Sequence, residues 1–418
     1  VYIYQHGKIS ALFSKPGDLA SMGQLRLSWD EDAIQSYVCN GHFINHGSWW
    51  KEVKRVKASS VLLFDEGSGT WSDHRYWSWK EVVPANQDRK EFREESRDIF
   101  HRHIRELEVE KHRNGVALSG GRDSRWLLFV MNQYHRCGSF RFGIESSPDL
   151  EIAKSCANHS GNSHQEFRLR YENWYEDRVP SFLSAGGMLT LDHFHEGAIH
   201  GQLSGSYDAV FTGFFGGFSP RRGYVRLSDD SARSAFAFFP EDGSWKDDFY
   251  NDDSLHSYLI DQKMTNLAAH HLYQLSRHFS LATPFYHMEW IMHFYARNQG
   301  YWQEQYDYTK TIVDDLPDVL SSLPWQKTGF PLNAVALNTF WTTTGLNYLS
   351  DKIRAIFGQN RLMYDYTRIK QVVKNKIDER SGPDVLPVPC YKGASVREQI
   401  HLLSALTWME HVRKIRSS

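Results

Sequence analysis

The sequence predicts an α/β protein. A parallel sheet with helices on both faces and a helical C-terminal part occupies residues 85–418, after a small β-rich domain over residues 1–84. Three observations carry this reading. Short apolar strands alternate with amphipathic helices from Gly115 to Phe211, the rhythm of a parallel sheet covered on both sides. The segment from Val1 to Lys80 reads as strands and turns, and helical periodicity dominates from Ser244 onward.

In chain order, Val1-Tyr2-Ile3-Tyr4 opens a strand and Asp30 to Tyr37 forms a short helix. Ser60-Val61-Leu62-Leu63-Phe64 is a strand entering the turn Asp65-Glu66-Gly67-Ser68-Gly69. Trp49, Trp50, Trp71, Trp77 and Trp79 are expected to pack this segment. Pro84 to Gln87 marks a boundary. A polar helix from Arg89 to Glu110 follows, with Phe92, Ile99, Phe100, Ile104 and Leu107 on one stripe. Gly115 to Leu118 is a strand, Ser124 to Tyr134 a helix, and Ser139 to Ile144 a strand. Asp149 to His159 is a helix with Ile152, Cys156 and Ala157 inward; Gln165 to Leu169 and Asp208 to Phe211 are further strands. Tyr258 to Phe279 and Met288 to Tyr295 are helical, and Pro317, Pro324 and Pro331 punctuate the later part.

The 418 residues suggest two or three domains at roughly 150 residues each. Lys plus Arg total 48 against 50 for Asp plus Glu, a net charge of −2. That balance argues against a chain whose main work is gripping nucleic acid. The four cysteines include no CxxC pair, so neither a zinc ribbon nor a disulfide framework is expected, and reduced thiols in a cytoplasm fit. Val1 to Ser14 has no signal pattern. The longest apolar run, Trp126 to Met131, falls far short of the ~20 residues that span a bilayer. The expectation is a cytoplasmic protein without membrane or nucleic-acid partners.

The chemistry concentrates in Leu118-Ser119-Gly120-Gly121-Arg122-Asp123-Ser124-Arg125, between a strand and a helix. Two glycines let backbone N–H groups approach oxyanions, and the following helix points its positive end at the same place. Ser119 and Ser124 add hydroxyls. Asp123 repels phosphate, so its natural role is to hold a divalent cation bridging phosphate oxygens. The loop matches neither GxxxxGK[ST] nor GxGxxG.

Ser-Gly-Gly-x-Asp-Ser resembles the pyrophosphate loop of the ATP pyrophosphatase (PP-loop) superfamily, and further segments resemble its asparagine synthetase-like branch. Leu25 to Trp79 is similar to the tail of that family's glutaminase domain. Phe140 to Ile144, Ile152 to Phe167, Arg277 to Trp290 with Thr283-Pro284-Phe285-Tyr286, and Leu323 to Phe330 resemble later family segments. The resemblance implies an adenine nucleotide alpha hydrolase-like sheet and the use of ATP and Mg²⁺. It implies adenylation of a carboxylate with loss of pyrophosphate, then displacement of AMP by an amine or ammonia. It assigns Leu118, Gly143 and Ile144 to the adenosine. It assigns Ser119, Gly120, Gly121, Arg122, Asp123, Ser124 and Gly213 to the phosphates and Asp123 also to Mg²⁺, and it makes Lys327, for charge stabilisation, Asp123, and Glu196, in the acceptor pocket, the catalytic candidates.

Three departures from the family pattern matter. Val1 stands where an N-terminal nucleophilic cysteine is needed, so the first domain reads as a truncated glutaminase-like unit without glutamine hydrolysis. Phe211-Thr212-Gly213-Phe214-Phe215-Gly216-Gly217-Phe218 keeps the glycines of the second motif but none of its carboxylates. His287 replaces an aspartate. Asp192, Asp208, Asp229 and Asp230 are candidates to supply a second acid, and Arg122, Arg125, Arg221 and Arg222 to neutralise pyrophosphate directly.

Other residues carry weaker signals. His195 and His200 are five apart, against the four of a zinc-binding HExxH helix, so packing or pocket polarity explains them better than metal. Tyr273, Tyr286 and Glu289 are candidates to assist amine deprotonation, Tyr306 and Tyr308 are near Lys327 only in sequence, and His270-His271 reads as helix surface. The reading is an amide-forming, AMP-releasing ligase acting on a small-molecule or peptide acid, in peptide cyclisation or sugar amidation for surface polysaccharide. A partner protein supplying ammonia or substrate fits this scheme. The alternative is a silent nucleotide-binding partner or regulatory subunit.

Overall fold

A computed structural model describes residues 1–7, 9–109, 113–145, 147–216, 249, 256–297, 301–344, 346, 366–380 and 395–417. At the amino terminus, strand β1 (Tyr2–His6) pairs antiparallel with both β2 (Ile9–Phe13) and β3 (Val53–Arg55). Helix α1 (Glu31–Asn40) begins where Asp30 accepts the Ala33 N–H at 3.1 Å, satisfying an otherwise unpaired first-turn donor. It stops at Gly41, whose φ of +79° is the left-handed cap that glycine adopts without strain. The expected strand and Asp65–Gly69 turn are present, and the chain returns as a second strand: β4 (Ser60–Asp65) and β5 (Thr70–Arg75) form an antiparallel hairpin.

Helix α2 (Arg89–Arg105) starts at Asp88, which accepts the Lys90 N–H at 2.8 Å. It buries Phe92, Ile99, Phe100 and Ile104 as the stripe requires, but ends short of the expected Glu110. The alternating region then follows: β6 (Asn114–Ala117), α3 (Arg122–Tyr134), β7 (Cys137–Gly143), α4 (Pro148–His159), β8 (His164–Arg168), α5 (Val179–Ser184), α6 (His200–Ser206) and β9 (Ala209–Thr212). Helix α3 begins two residues before the expected Ser124, because Gly121 serves as its N-cap. Helix α7 (His256–Lys263) runs through a π-turn at Met264–Ala268 into α8 (Ala269–Ser276), and β10 (Ser280–Ala282) closes the sheet. The longer helices α9 (Met288–Ala296), α10 (Tyr301–Asp315), α11 (Val335–Thr343), α12 (Lys370–Asp378) and α13 (Val396–Ser417) follow, with one short helical turn at Asp318–Ser321 between α10 and α11.

The central sheet is parallel throughout, in the order β10-β9-β6-β7-β8. Successive strand residues face opposite cores, as the period of two demands. Val210, Phe140, Phe142 and Phe167 join one cluster; Phe211 and Val116 join the other, with Trp126, Phe285, Trp290 and Tyr308. The tryptophans near the amino terminus do more than pack their own segment. Trp49 and Trp50 lie 6.0 and 6.4 Å from the Trp408 ring of α13. Trp79 packs on Tyr295 at 4.6 Å. Only Trp71 stays local, 4.8 Å from Phe64 and bonded to Ser10 at 2.7 Å. Among the described residues, no helix is long and apolar enough to cross a membrane.

Candidate active site

The sheet order dictates where a ligand can enter. Strands β6 and β9 are adjacent, and from them the connections run outward in opposite directions. Such a switch point leaves a crevice beyond the strands' carboxyl ends. Two segments meet there: the loop after Ala117 and the glycine-rich turn after Thr212. They approach so closely that side chains are excluded. A Cβ on Gly213 would lie 2.8 Å from the Ser124 nitrogen, and one on Gly216 would lie 2.9 Å from Asp123 Cβ.

Within the loop, the hydroxyls organise the backbone. Ser124 Oγ accepts the Ser119 N–H at 2.9 Å, Ser119 Oγ accepts the Gly121 N–H at 3.1 Å, and the two hydroxyls bond at 2.8 Å. The Gly120 N–H donates to Asp149 at 2.6 Å. These three amides therefore already have partners within the chain. The first-turn N–H groups of α3 add the positive end of a 13-residue helix.

Asp149, in the first turn of α4, is buried and forms an ion pair with Arg141 on β7. The sequence reading did not single it out: its partner Gly120 lies 29 residues away, and no local pattern signals the contact. Arg125 is fully buried, donating to the carbonyls of Leu320, Leu323 and Pro324 at 2.7–3.1 Å and of Gly120 at 3.3 Å. Arg122 is also buried, bonded to Gln305 at 2.9 Å and to Thr309, with its guanidinium 4.5 Å from the Tyr308 ring centre and 5.0 Å from that of Trp325. Both arginines thus hold the loop against α10 and the 320–325 segment. The expectation that Arg125 faces pyrophosphate is corrected, because its donors go to carbonyls.

Asp123 accepts the Tyr308 hydroxyl at 2.6 Å and lies 3.6 Å from Arg122 Nε. Burial first, then the Asp123 charge, pushes the Tyr308 phenol well above its usual range, so Tyr308 stays a donor. Proximity to Lys327 in sequence understated Tyr308: one helical face of α10 carries it to the loop.

Two clefts meet at Ser119, Asp123, Gly213 and Phe214. The first, about 820 Å³ including its mouth, is walled by Ala117, Phe140, Phe142, Val210, Leu275 and Phe279, with Arg141, Glu196 and His271 as polar groups. The second, about 1390 Å³ including its mouth, is lined by Gly121, Arg122, Phe215, Leu267, Gln305, Trp325, Gln326 and Lys327. Lys327 and Asp123 therefore share the second cleft. Glu196 lies in the first, 3.7 Å from His271, and does not meet Lys327. The side chains of Leu118 and Ile144 are in the hydrophobic cores, and neither they nor Gly143 line either cleft; Ala117, Phe140 and Phe142 line the first cleft instead.

The other candidates scatter. Asp192 is buried, bonded to Thr190 at 2.5 Å and Arg397 at 3.1 Å. Asp208 pairs with Arg113 before β9, at the opposite end of the sheet. Neither supplies a second acid at the loop. His195 bonds Arg178 at 2.9 Å and Tyr366 at 3.1 Å, which agrees with packing rather than metal. His270 is half-buried rather than open surface: it bonds Tyr2 at 2.9 Å, and desolvation lowers it to about 3. Tyr273 is exposed. Arg221, Arg222, Asp229, Asp230, Gly217 and Phe218 lie outside the described residues.

Residues 95–192 match the asparagine synthase family model. Asparagine synthetase B (glutamine-hydrolysing) of Escherichia coli strain K12 is 29% identical over a stretch covering 28% of this chain; the chain spans 24% of that relative's length. Among solved structures, ammonia-dependent NAD synthetase from Campylobacter jejuni is 13% identical, with 43% of this chain and 95% of that one covered and a TM-score of 0.24. A predicted subunit of tRNA methyltransferase from Methanocaldococcus jannaschii is 11% identical, with 44% of this chain and 73% of that one covered and a TM-score of 0.22. At these TM-scores neither structure bears on function.

Proposed function

We propose that this chain, asparagine synthetase-like over residues 95–192, is an ATP-dependent synthetase that joins a carboxylate to an amine or to ammonia. The observation that carries the reading is the Ser119–Ser124 loop at the switch point of the sheet, pressed against Gly213 and Gly216. The apolar first cleft fits adenosine; the loop, the start of α3 and Lys327 in the second cleft fit the β- and γ-phosphates.

In this scheme a carboxylate oxygen of the acid attacks the α-phosphorus, the bond to the bridging oxygen breaks, and pyrophosphate leaves. The amine nitrogen then attacks the acyl carbon, AMP departs, and the nitrogen loses a proton. The chain's contribution is positioning and charge. The Lys327 ammonium is a compact cation in the cleft that receives pyrophosphate. Asp123, a carboxylate in the first turn of α3, would hold the Mg²⁺. That ion would neutralise charge accumulating on the leaving pyrophosphate. Tyr308 holds Asp123 in place by its 2.6 Å bond.

The test is exchange of labelled pyrophosphate into ATP across a panel of carboxylic acids with Mg²⁺. Exchange with at least one acid, lost in Asp123→Ala while the fold is kept, supports the synthetase. A second reading, a nucleotide-binding partner without turnover, is favoured by the lack of carboxylates in Thr212 to Gly216. ATP binding by calorimetry with no exchange for any acid would select it.

A further inference from the structure

Away from both clefts, among the described residues, His103, His287 and Glu289 bring one donor atom each within 4.8 Å of one another. They come from two elements distant in sequence. His103 lies in the last turn of α2; His287 is the residue before α9, and Glu289 is in that helix's first turn. His103 Nε2 and Glu289 Oε2 are 2.8 Å apart, and the two imidazole rings are centred 3.9 Å apart.

The surroundings hold this group without closing it. Phe285, two residues before His287, stacks on Phe100 of α2 at 4.6 Å, and Trp290 lies 5.7 Å from the same ring. The two backbones are thereby fixed against each other. His103 is 9% exposed, and its Nδ1 is buried with no hydrogen-bond partner. His287 and Glu289 are exposed, so an ion can arrive from solvent. Two imidazoles and a carboxylate form a donor set that zinc takes in sites with one position left open. Donors about 2.0–2.1 Å from a tetrahedral ion are roughly 3.4 Å apart. The present spread closes to that by turning the two exposed side chains.

One group opposes the ion: the Arg102 guanidinium pairs with the other Glu289 oxygen. A cation there shares Glu289 with a positive charge, which weakens its binding.

The geometry points to a divalent transition-metal site, filled by zinc, that clamps the end of α2 to the start of α9 through His103, His287 and Glu289. The site is independent of the nucleotide clefts and of any turnover there.

The test uses the full chain stripped of metal by chelator. Zn²⁺ is titrated by calorimetry, and Co²⁺ by visible absorption, which reports tetrahedral nitrogen and oxygen ligands. The expected result is one equivalent bound, a cobalt band, and a raised melting temperature with zinc. His287→Ala and Glu289→Gln remove all three, while leaving the metal-free melting temperature nearly unchanged because both side chains are exposed. Arg102→Gln tightens zinc several-fold. The proposal is overturned if the chain binds no zinc, if His287→Ala binds it as well as the parent, or if Arg102→Gln leaves the affinity unchanged.

Discussion

Replacing Asp149 by alanine tests how the Ser119–Ser124 loop is held. Asp149 is 1% exposed and its partner Arg141 has a side chain 14% exposed. Removing the carboxylate strands a guanidinium that water barely reaches, which ordinarily costs about 3–5 kcal/mol. It also orphans the Gly120 N–H, whose 2.6 Å bond is lost, worth about 1–3 kcal/mol. The two losses overlap, and the residual exposure of Arg141 lets solvent recover part of the first. The expected destabilisation is about 3 kcal/mol. Arg141→Met removes the opposite partner and costs about 2 kcal/mol, since Asp149 keeps the Gly120 donor and the start of α4. The double variant leaves no unpaired charge, only the orphaned amide, and costs about 2 kcal/mol. The losses therefore fail to add by about 3 kcal/mol. Urea unfolding of the full chain, followed by tryptophan fluorescence, measures all three. Additive losses, or a single-variant loss under about 1 kcal/mol, would refute the view that this pair anchors the loop.

Other outcomes follow from the same structure. Gly213→Ala places a methyl 2.8 Å from the Ser124 nitrogen, against backbone that cannot yield cheaply; ATP affinity measured by calorimetry should fall at least ten-fold, and unchanged affinity would show that the two segments do not form the nucleotide site. Lys327→Ala should slow pyrophosphate exchange by about 10²–10³-fold with a smaller effect on ATP binding, and an unaltered exchange rate would exclude Lys327 from the reaction. Burial, aided by nearby positive groups, holds His46, His193 and His200 down to about 4 and His270 to about 3. An unfolded chain binds those protons near pH 6.5, so the stability present above that pH is lost progressively as pH falls toward 4. Urea midpoints between pH 7.5 and 4 should drop steadily, and a flat profile would contradict the burial of these rings.

The periodic parts of the fold were legible in the sequence. The β6–β9 strands and the helices between them declare themselves through local alternation, and the loop at Ser119 through two glycines and two serines in fixed spacing. What escaped depends on contacts distant in the chain. Arg125 reads as a phosphate ligand because guanidinium suits phosphate; only the fold reveals that the carbonyls of Leu320, Leu323 and Pro324 take its donors. Asp149 looks like an ordinary first-turn acid until α4 packs beside the loop. His270 resembles surface because its neighbour His271 is polar too, whereas the amino-terminal Tyr2 covers it. In each case the residue type was informative, but the partner that decides its role comes from elsewhere in the chain.

The contact of Trp408 with Trp49, stacked, and with Trp50, edge-on, also bears on the order in which a newly made chain can solidify. The amino-terminal sheet emerges from the ribosome hundreds of residues before the ring that covers its tryptophans. Until translation has passed position 408, two large indoles lack their final cover and rely on chaperones or provisional contacts to avoid sticking to neighbours. Ribosomes stalled before position 408 would therefore release a product in which the segment carrying Trp49 and Trp50 is the first to aggregate.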